Sequence, residues 1–527
     1  MSGDHGASVL AQLSSILIDT YNPDQGRRAG AEAMLQQFLN TPGSVGFLLA
    51  LVSSKEAVRD LRLAAALIMK NNVKDFWRSA EERAKKAADG VVMKSRSLAE
   101  DEREGAKTSL LEIMLSETDS AVRKSVAETL KQISERDAVG GEGAANDGAA
   151  APASSHTGSW PACVPTLLGG ITSGDPLRIF NALTGLRQIM KQYQYVGLGN
   201  NPLYTVRRRI LDDMIQQAFP ILQGLCTQIN QLPPEQASLE AASILHMCLK
   251  IFYSVTVYEL PQGVTGVDVP FWFSLLAAQI GKPLPEASTG LPPTGQPTSD
   301  EQRKAWPWWK VKKWATRIAQ HIFNRYGNPR SAKEEDRAFT TYFKDHLSLL
   351  LLQPTLGMLQ HQAQGGYITD DVHRSCLTYL TCSIELATTY KALVPHLDYL
   401  VGTILLPSLA ITPGEEMLFR DDPVEFVRKT HNFMEGANKK TAKPNLFDFS
   451  LPHFNFFFFF SQSLWIRKSR LKTRSSPSPG TATRPACPSS LPSSRPRARA
   501  TRLCPRARRA RHRTRPCTET IAARMRR

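Results

Sequence analysis

Apolar residues recur at spacings of three and four through most of the first 430 positions, and this pattern restricts the chain to helices packed on helices. In segment 58–71, Val58, Leu61, Ala65 and Ile68 share one stripe. Ala241, Leu245, Cys248 and Phe252 repeat it, as do Trp314, Ile318 and Ile322, and then Leu377, Leu380, Ile384 and Ala387. A stripe of this period is the face of an α-helix that turns to a core. Convincing period-two strands are absent, and most prolines fall between the helical runs. Pro220 interrupts one long run, which predicts a bent or paired element over 210–219 and 221–229. Two-helix units of about 35–45 residues describe HEAT- or armadillo-like arrays, and segments 8–39 and 44–72 fit that unit. Each hairpin hides only one face, so neighbours must stack to close the core. A helical bundle would show the same stripes, so the period alone leaves array and bundle both open.

Two segments interrupt the pattern. Residues 140–159 are mostly Gly, Ala, Ser, Asn and Pro, which cannot bury enough area to order themselves. Residues 282–300, with Pro283, Pro285, Pro292, Pro293 and Pro297, read as a loop. Similar helices resume on either side of each, so both are excursions from one scaffold.

The formal charge of +17 suggests nucleic acid until it is located. Residues 464–527 contain 19 Lys or Arg and one acid, Glu519, whereas the first 463 residues hold 46 basic and 47 acidic side chains. The helical part is close to neutral. The arginine-rich stretch from Arg495 to Arg515 would bind nucleic acid without sequence preference. None of the eight cysteines forms a CxxC pair, and most of Cys163, Cys226, Cys248, Cys376 and Cys382 lie in apolar helical runs, as buried free thiols do. No run reaches the length of a membrane helix, and the N-terminus lacks a secretory pattern.

A phosphate loop, a His-Glu-x-x-His zinc signature and a nucleophile elbow are all missing. The 11 histidines are scattered, and Cys376 and Cys382 have no histidine at a metal spacing. No catalytic, metal or cofactor residue is assigned, no cofactor is expected, and the chain reads as a protein that binds others rather than an enzyme.

Four blocks carry a family resemblance. Val58-Arg59-Asp60-Leu61-Arg62-Leu63-Ala64-Ala65-Ala66-Leu67-Ile68-Met69-Lys70-Asn71-Asn72, followed by Phe76-Trp77, resembles the second helix of the second HEAT unit in importin-beta receptors, with Met69 replacing the usual Leu. Segment 183–195 (Leu183 to Tyr195), preceded by Trp160-Pro161, segment 306–327 (Trp306-Pro307-Trp308-Trp309 to Gly327) and segment 421–428 (Asp421-Asp422-Pro423 to Arg428) are similar to blocks of the importin seven/eight group and its fungal counterparts, in the same order. The resemblance covers about residues 8–433 and implies an all-α HEAT/ARM-like helical-repeat solenoid.

It also implies a nuclear import receptor, or karyopherin: binding of protein cargo and of Ran-GTP, weak contacts with phenylalanine-glycine nucleoporins, and shuttling between cytoplasm and nucleus at the nuclear envelope. The expected organisation is N-terminal, Ran-binding HEAT repeats over 1–135, a low-complexity insertion over 136–159, HEAT repeats over 160–281, a loop over 282–305, HEAT repeats over 306–433 and a disordered or non-native basic tail over 434–527. In the family Ran contacts the inner helices of the first repeats. Arg62 and Lys70 lie in that region, but a structural role suits Arg62 as well, so no Ran or cargo contact is assigned. The alternative to a transport receptor is a static helical scaffold, with nucleic-acid binding confined to the tail.

Block 306–327 admits two readings. Alternating Trp and Lys could grip an acidic partner; alternatively Trp309 and Trp314 lie in the core while Lys310, Lys312 and Lys313 face water, and this structural reading is favoured. The insertion separates Asp137 from Trp160, which the family keeps close. After Met434 the family pattern stops: Phe456 to Phe460 followed by Ser461-Gln462 is what a pyrimidine tract ending in CAG would encode, and the following Arg/Pro/Ser-rich stretch resembles a frame-shifted reading. An unspliced intron accounts for both features; a genuine arginine-rich tail is the competing reading.

Overall fold

A computed structural model describes residues 3–91, 95–140, 160–194, 204–232, 238–264, 266, 268–284, 295–329, 332–409 and 413–431. Most of the insertion and all of the basic tail lie outside them. Among the described residues no strand occurs. The helices are α1 (Gly3–Asp19), α2 (Gln25–Leu39), α3 (Ser44–Ser53), α4 (Arg59–Phe76), α5 (Ala80–Ala88), α6 (Glu100–Ser116), α7 (Ser120–Gly140), α8 (Cys163–Ile171), α9 (Pro176–Lys191), α10 (Tyr204–Gln231) and α11 (Leu239–Thr256). They continue as α12 (Asp268–Gly281), α13 (Asp300–Ala305), α14 (Pro307–Tyr326), α15 (Arg337–Tyr342), α16 (Ser348–Ala363), α17 (Asp370–Glu385), α18 (Ala387–Leu393), α19 (Leu397–Tyr399), α20 (Leu406–Leu409), α21 (Pro413–Asp421) and α22 (Pro423–His431).

Each unit is a pair: α3 with α4, α6 with α7, α8 with α9, α10 with α11, α12 with α14, and α16 with α17. The first members touch in sequence, α3–α6–α8–α10–α12–α16, and the second members do the same, α4–α7–α9–α11–α14–α17. Contacts thus run along two parallel rows and never converge on a common centre, which settles stack against bundle. The pair α1–α2 enters differently: α1 lies against α4 and α3, whereas α2 reaches α3.

Local chemistry sets where these helices begin. Asp24 accepts from the Arg27 N–H at 2.8 Å and starts α2; Asp175 accepts from Leu177 and Arg178, followed by Pro176 at the first helical position, and starts α9. Asp119 accepts from the Ala121 and Val122 amides at 2.8 and 2.9 Å, ahead of α7. Pro220 does not divide α10: the helix is continuous through it, so of the bent or paired element expected over 210–229 the separate pair is excluded. Leu211, Met214, Ile215, Ala218, Phe219 and Leu222 are all buried, and this apolar face outweighs one lost backbone hydrogen bond. The segment expected as loop over 282–305 contains a short helix, α13, and α7 extends to Gly140, into the segment expected as insertion.

Ala64, Ala65, Ala66 and Met69 form the buried face of α4, so small residues there do allow close approach. Val58, placed on that stripe from its spacing, is instead exposed at the helix start. Ala387 is likewise exposed, because α17 ends at Glu385 and the period breaks there. Helices also approach closely at Gly170, where a Cβ would meet Leu115 Cδ2 at 2.6 Å and Ala182 Cβ at 2.9 Å. Farther along, Trp272 is fully buried, stacked on Phe252 at 4.6 Å and edge-on to Phe219 at 5.3 Å, tying α10, α11 and α12 together.

One device recurs along the stack. The last carbonyls of a helix have no partner within it, and a polar side chain from the second row takes them. Arg62 Nε donates to Val52 O at 2.9 Å at the end of α3. Asn181 Nδ2 donates to Leu115 O at 3.3 Å and to Glu117 O at 2.9 Å at the end of α6. Lys312 Nζ donates to Gln279 O at 3.2 Å and Ile280 O at 2.8 Å at the end of α12. The flanks of the insertion also rejoin: Lys107 Nζ lies 2.9 Å from Asp137 Oδ2 and 5.9 Å from the Trp160 ring centroid. Asp137 and Trp160, distant in sequence, therefore share one buried lysine.

Candidate functional site

The second row presents one side of α4, α7, α9, α11, α14 and α17, and its charge chemistry changes along the stack. At the N-terminal end of the stack several cations are engaged by carboxylates. Arg62 is ion-paired with Glu117, whose side chain is only 1% exposed. Arg59 meets Asp119 at 2.9 Å, Arg96 meets Glu102, Lys107 meets Glu104 at 2.7 Å, and Lys131 meets Glu128 at 3.2 Å. Hydrogen bonds from the Val122 amide and from Arg59 hold the Asp119 carboxyl at about 2. Arg62 is thus a structural residue that ties α4 to the α6–α7 corner. Lys70 is half-exposed, and Asn71 and Lys74 are exposed beside it.

In the middle of the row the pattern reverses. Lys124 on α7, Arg187 and Lys191 on α9, Lys250 on α11, and Lys310 and Arg317 on α14 have no carboxylate within ion-pair distance among the described residues. Burial, together with Arg187, Lys310, Lys191 and Lys124, pushes the Lys250 ammonium down to about 8. Burial and the charges of Lys250, Lys310, Arg187 and Lys313 push His246 down to about 3, so its imidazole is neutral at physiological pH. Trp314 sits amid these groups: Lys250 Nζ is 5.5 Å and the Arg317 guanidinium 5.2 Å from its ring centroid, and Tyr253 meets it edge-on at 5.1 Å. Asp371 on α17 is already held by Lys313 at 2.5 Å and Arg374 at 2.6 Å.

The two readings of block 306–327 divide between faces of one helix. Trp308 and Trp309 are buried, and Trp309 Nε1 donates to Gln296 Oε1 at 2.9 Å, anchoring the end of the proline-rich segment. Trp314 is not a core residue as expected; it is half-buried on the open side of the row. Lys312 does not face water: it is 3% exposed, and burial pushes its ammonium down to about 8. Period 3.6 turns residue 312 away from residues 310 and 317, and carbonyls at the end of α12 supply what water would have given. The basic-aromatic cluster as a whole escaped sequence reasoning. Its local signals were Arg187/Lys191, His246/Lys250 and Lys310/Trp314/Arg317 at helical spacing, but only the fold brings the four helices together.

No group of three or more His, Cys, Asp or Glu side chains with metal-binding geometry occurs among the described residues. Burial pushes the Cys163, Cys376 and Cys382 thiols up to about 12, far from a nucleophile's range. No helix among the described residues is long and apolar enough to cross a membrane.

Two rows of stacked helical hairpins define a HEAT/ARM-like helical-repeat solenoid, an architecture typical of non-catalytic scaffold and transport proteins. The fold is similar to that of a solved structure described as the exportin Cse1 in its cargo-free, cytoplasmic state, with a TM-score of 0.56 and 14% identity, covering 88% of this chain and 44% of that one. Residues 31–116, from α2 to the end of α6, match the importin-beta N-terminal domain. An importin beta-like SAD2 homolog of Arabidopsis thaliana is 25% identical over 422 residues, 79% of this chain and 36% of its own length. Importin-8 of Mus musculus is 26% identical over 425 residues, 80% of this chain and 38% of its own. The matched domain and these relatives are of the importin-beta, or karyopherin-beta, superfamily, which the chain resembles. It spans little more than a third of the length of these relatives.

Proposed function

We propose that the chain acts as the N-terminal portion of a nuclear transport receptor of the importin seven/eight type, which binds Ran-GTP and protein cargo and carries cargo through the nuclear pore into the nucleus. The observation that carries this reading is the importin-beta N-terminal domain over residues 31–116, seated on the first stacked pairs. Ran-GTP would meet the second-row side of α4, where Lys70, Asn71 and Lys74 reach solvent. Phenylalanine-glycine nucleoporins are the further partners, and the protein would shuttle between cytoplasm and nucleus across the nuclear envelope. A stack suits this work, since small rotations at many interfaces sum to a large change and let one partner bias another.

The test is a pull-down of the full chain with Ran loaded with GTP or with GDP. Retention with GTP and loss with GDP is expected. Equal or absent retention in both states overturns the reading in favour of a static scaffold. Charge-reversal of Lys70 and Lys74 to Glu should weaken the GTP-dependent retention and leave helicity unchanged.

A further inference from the structure

We propose that the middle of the second helix row is a docking face for an acidic peptide segment, formed by Lys124, Arg187, Lys191, Lys250, Lys310 and Arg317. This reading stands apart from Ran binding and concerns a different stretch of the row.

Three observations carry it. First, these cations lie on four consecutive helices of one row, α7, α9, α11 and α14, and none is in an ion pair among the described residues. Second, they are close enough to act on one another: Lys250 is surrounded by four of the others, and the neighbouring His246 is held neutral. Like charges gathered this way cost stability, and the same chain does supply carboxylates to Arg59, Arg62, Arg96 and Lys107. An external carboxylate-bearing partner would relieve the repulsion. Third, the Arg187 Nε–H is buried without a hydrogen-bond partner among the described residues, so this cation is poorly compensated from within and a carboxylate at the surface would offset its charge.

Geometry sets the occupant's length. Packed helices lie 8–10 Å apart, so four in a row span about 30 Å, which an extended peptide covers with about nine residues. Peptide is favoured over single-stranded nucleic acid because the aromatic groups are already committed. Trp314 is engaged by Lys250, Arg317, Tyr253 and His246, and Tyr253 by Arg317 and His321. Nucleic-acid platforms offer free ring faces to bases; here charge is what remains to be read.

The test uses the full chain, a nine-residue peptide of alternating Asp and Glu, an Asn/Gln peptide of equal length, and a nine-nucleotide oligouridylate, with Ran absent. Carbodiimide joins peptide carboxylates to nearby lysine amines, and mass spectrometry maps the products. Crosslinks at Lys124, Lys191, Lys250 and Lys310 are expected with the acidic peptide only. The variant Lys250→Gln/Lys310→Gln/Arg317→Gln should lower the yield at Lys124 and Lys191 by about tenfold, while any products at Lys468 and Lys472 in the basic tail stay unchanged. Should that variant melt early, Arg317→Gln alone, at an exposed position, should lower the yield by about threefold with an unaltered melting temperature. Crosslinks confined to residues 464–527, or a yield that ignores these substitutions, would overturn the proposal. So would tighter binding of the oligouridylate through the same three side chains.

Discussion

The N-terminal pairs and the middle pairs are built on the same two rows, yet they treat positive charge in opposite ways. Across α4, α6 and α7, Arg59, Arg62 and Lys107 each find a carboxylate on another helix or on the corner that follows it. Across α9, α11 and α14, Arg187, Lys191, Lys250, Lys310 and Arg317 find none among the described residues. Charge in the first region fixes how neighbouring units meet; charge in the second is left for something outside the stack. The lesson is that near-neutrality over the first 463 residues concealed a local imbalance, because net charge carries no information about which helices adjoin.

The largest expected effect breaks the paired side. Glu117→Ala leaves Arg62 without its nearly buried partner and should cost about 4 kcal/mol. Hydrogen exchange of α4 and α7 reads this locally, and protection unchanged from wild type would dismiss the register role. Lys310→Gln should leave the same exchange untouched.

Next comes Lys312, the middle-region cation that faces the other way. Its folded pKa lies at about 8 against an ordinary 10.5. Between those values the unfolded chain binds the proton and the folded chain does not, so stability rises with pH through that window and is lower below it. Lys312→Met should erase a rise of about 3 kcal/mol between these limits, measured by denaturant unfolding at several pH values. Identical slopes in both proteins would show that the ammonium is not desolvated.

A subtler test concerns His246. Its folded pKa of about 3 lies below the ordinary 6.5, so stability should fall as pH drops below 6.5 and the unfolded chain takes up the proton. Imidazole NMR signals of His246 should not titrate above about pH 5. Lys250→Gln should move the titration upward, and an unmoved midpoint would mean that the Lys250 charge does not act on it. The smallest effect is at Lys313, paired with Asp371 at 2.5 Å while both side chains are more than a third exposed. Lys313→Ala should cost about 0.5 kcal/mol, within the scatter of a thermal melt, which would confirm that only the enclosed pairs set register.

How much of this was legible beforehand differs by residue. Ala65, Leu245, Cys248, Phe252, Ile318, Ile322, Leu377 and Leu380 were placed on buried stripes by spacing, and they are buried. Val58 and Ala387 were misplaced because spacing does not mark where a helix ends. Pro220 does not split its run into a pair, since a long apolar face carries the helix through it. Trp309 was correctly placed in the core, whereas Lys312 and Trp314 were exchanged between inside and outside.

The sequence by itself determined helices, their stripes, the first two hairpins and the resemblance of the N-terminal domain, because these depend on residues within about one turn or one hairpin of each other. Tertiary structure alone decided that Lys312 is buried, that Lys107 links Asp137 to Trp160, and that cations from four helices share one face. Those outcomes depend on what stands opposite each side chain. A lysine is buried only where carbonyls replace its water, and a cationic cluster exists only where separate helices adjoin. Neither condition is written in the period of one helix.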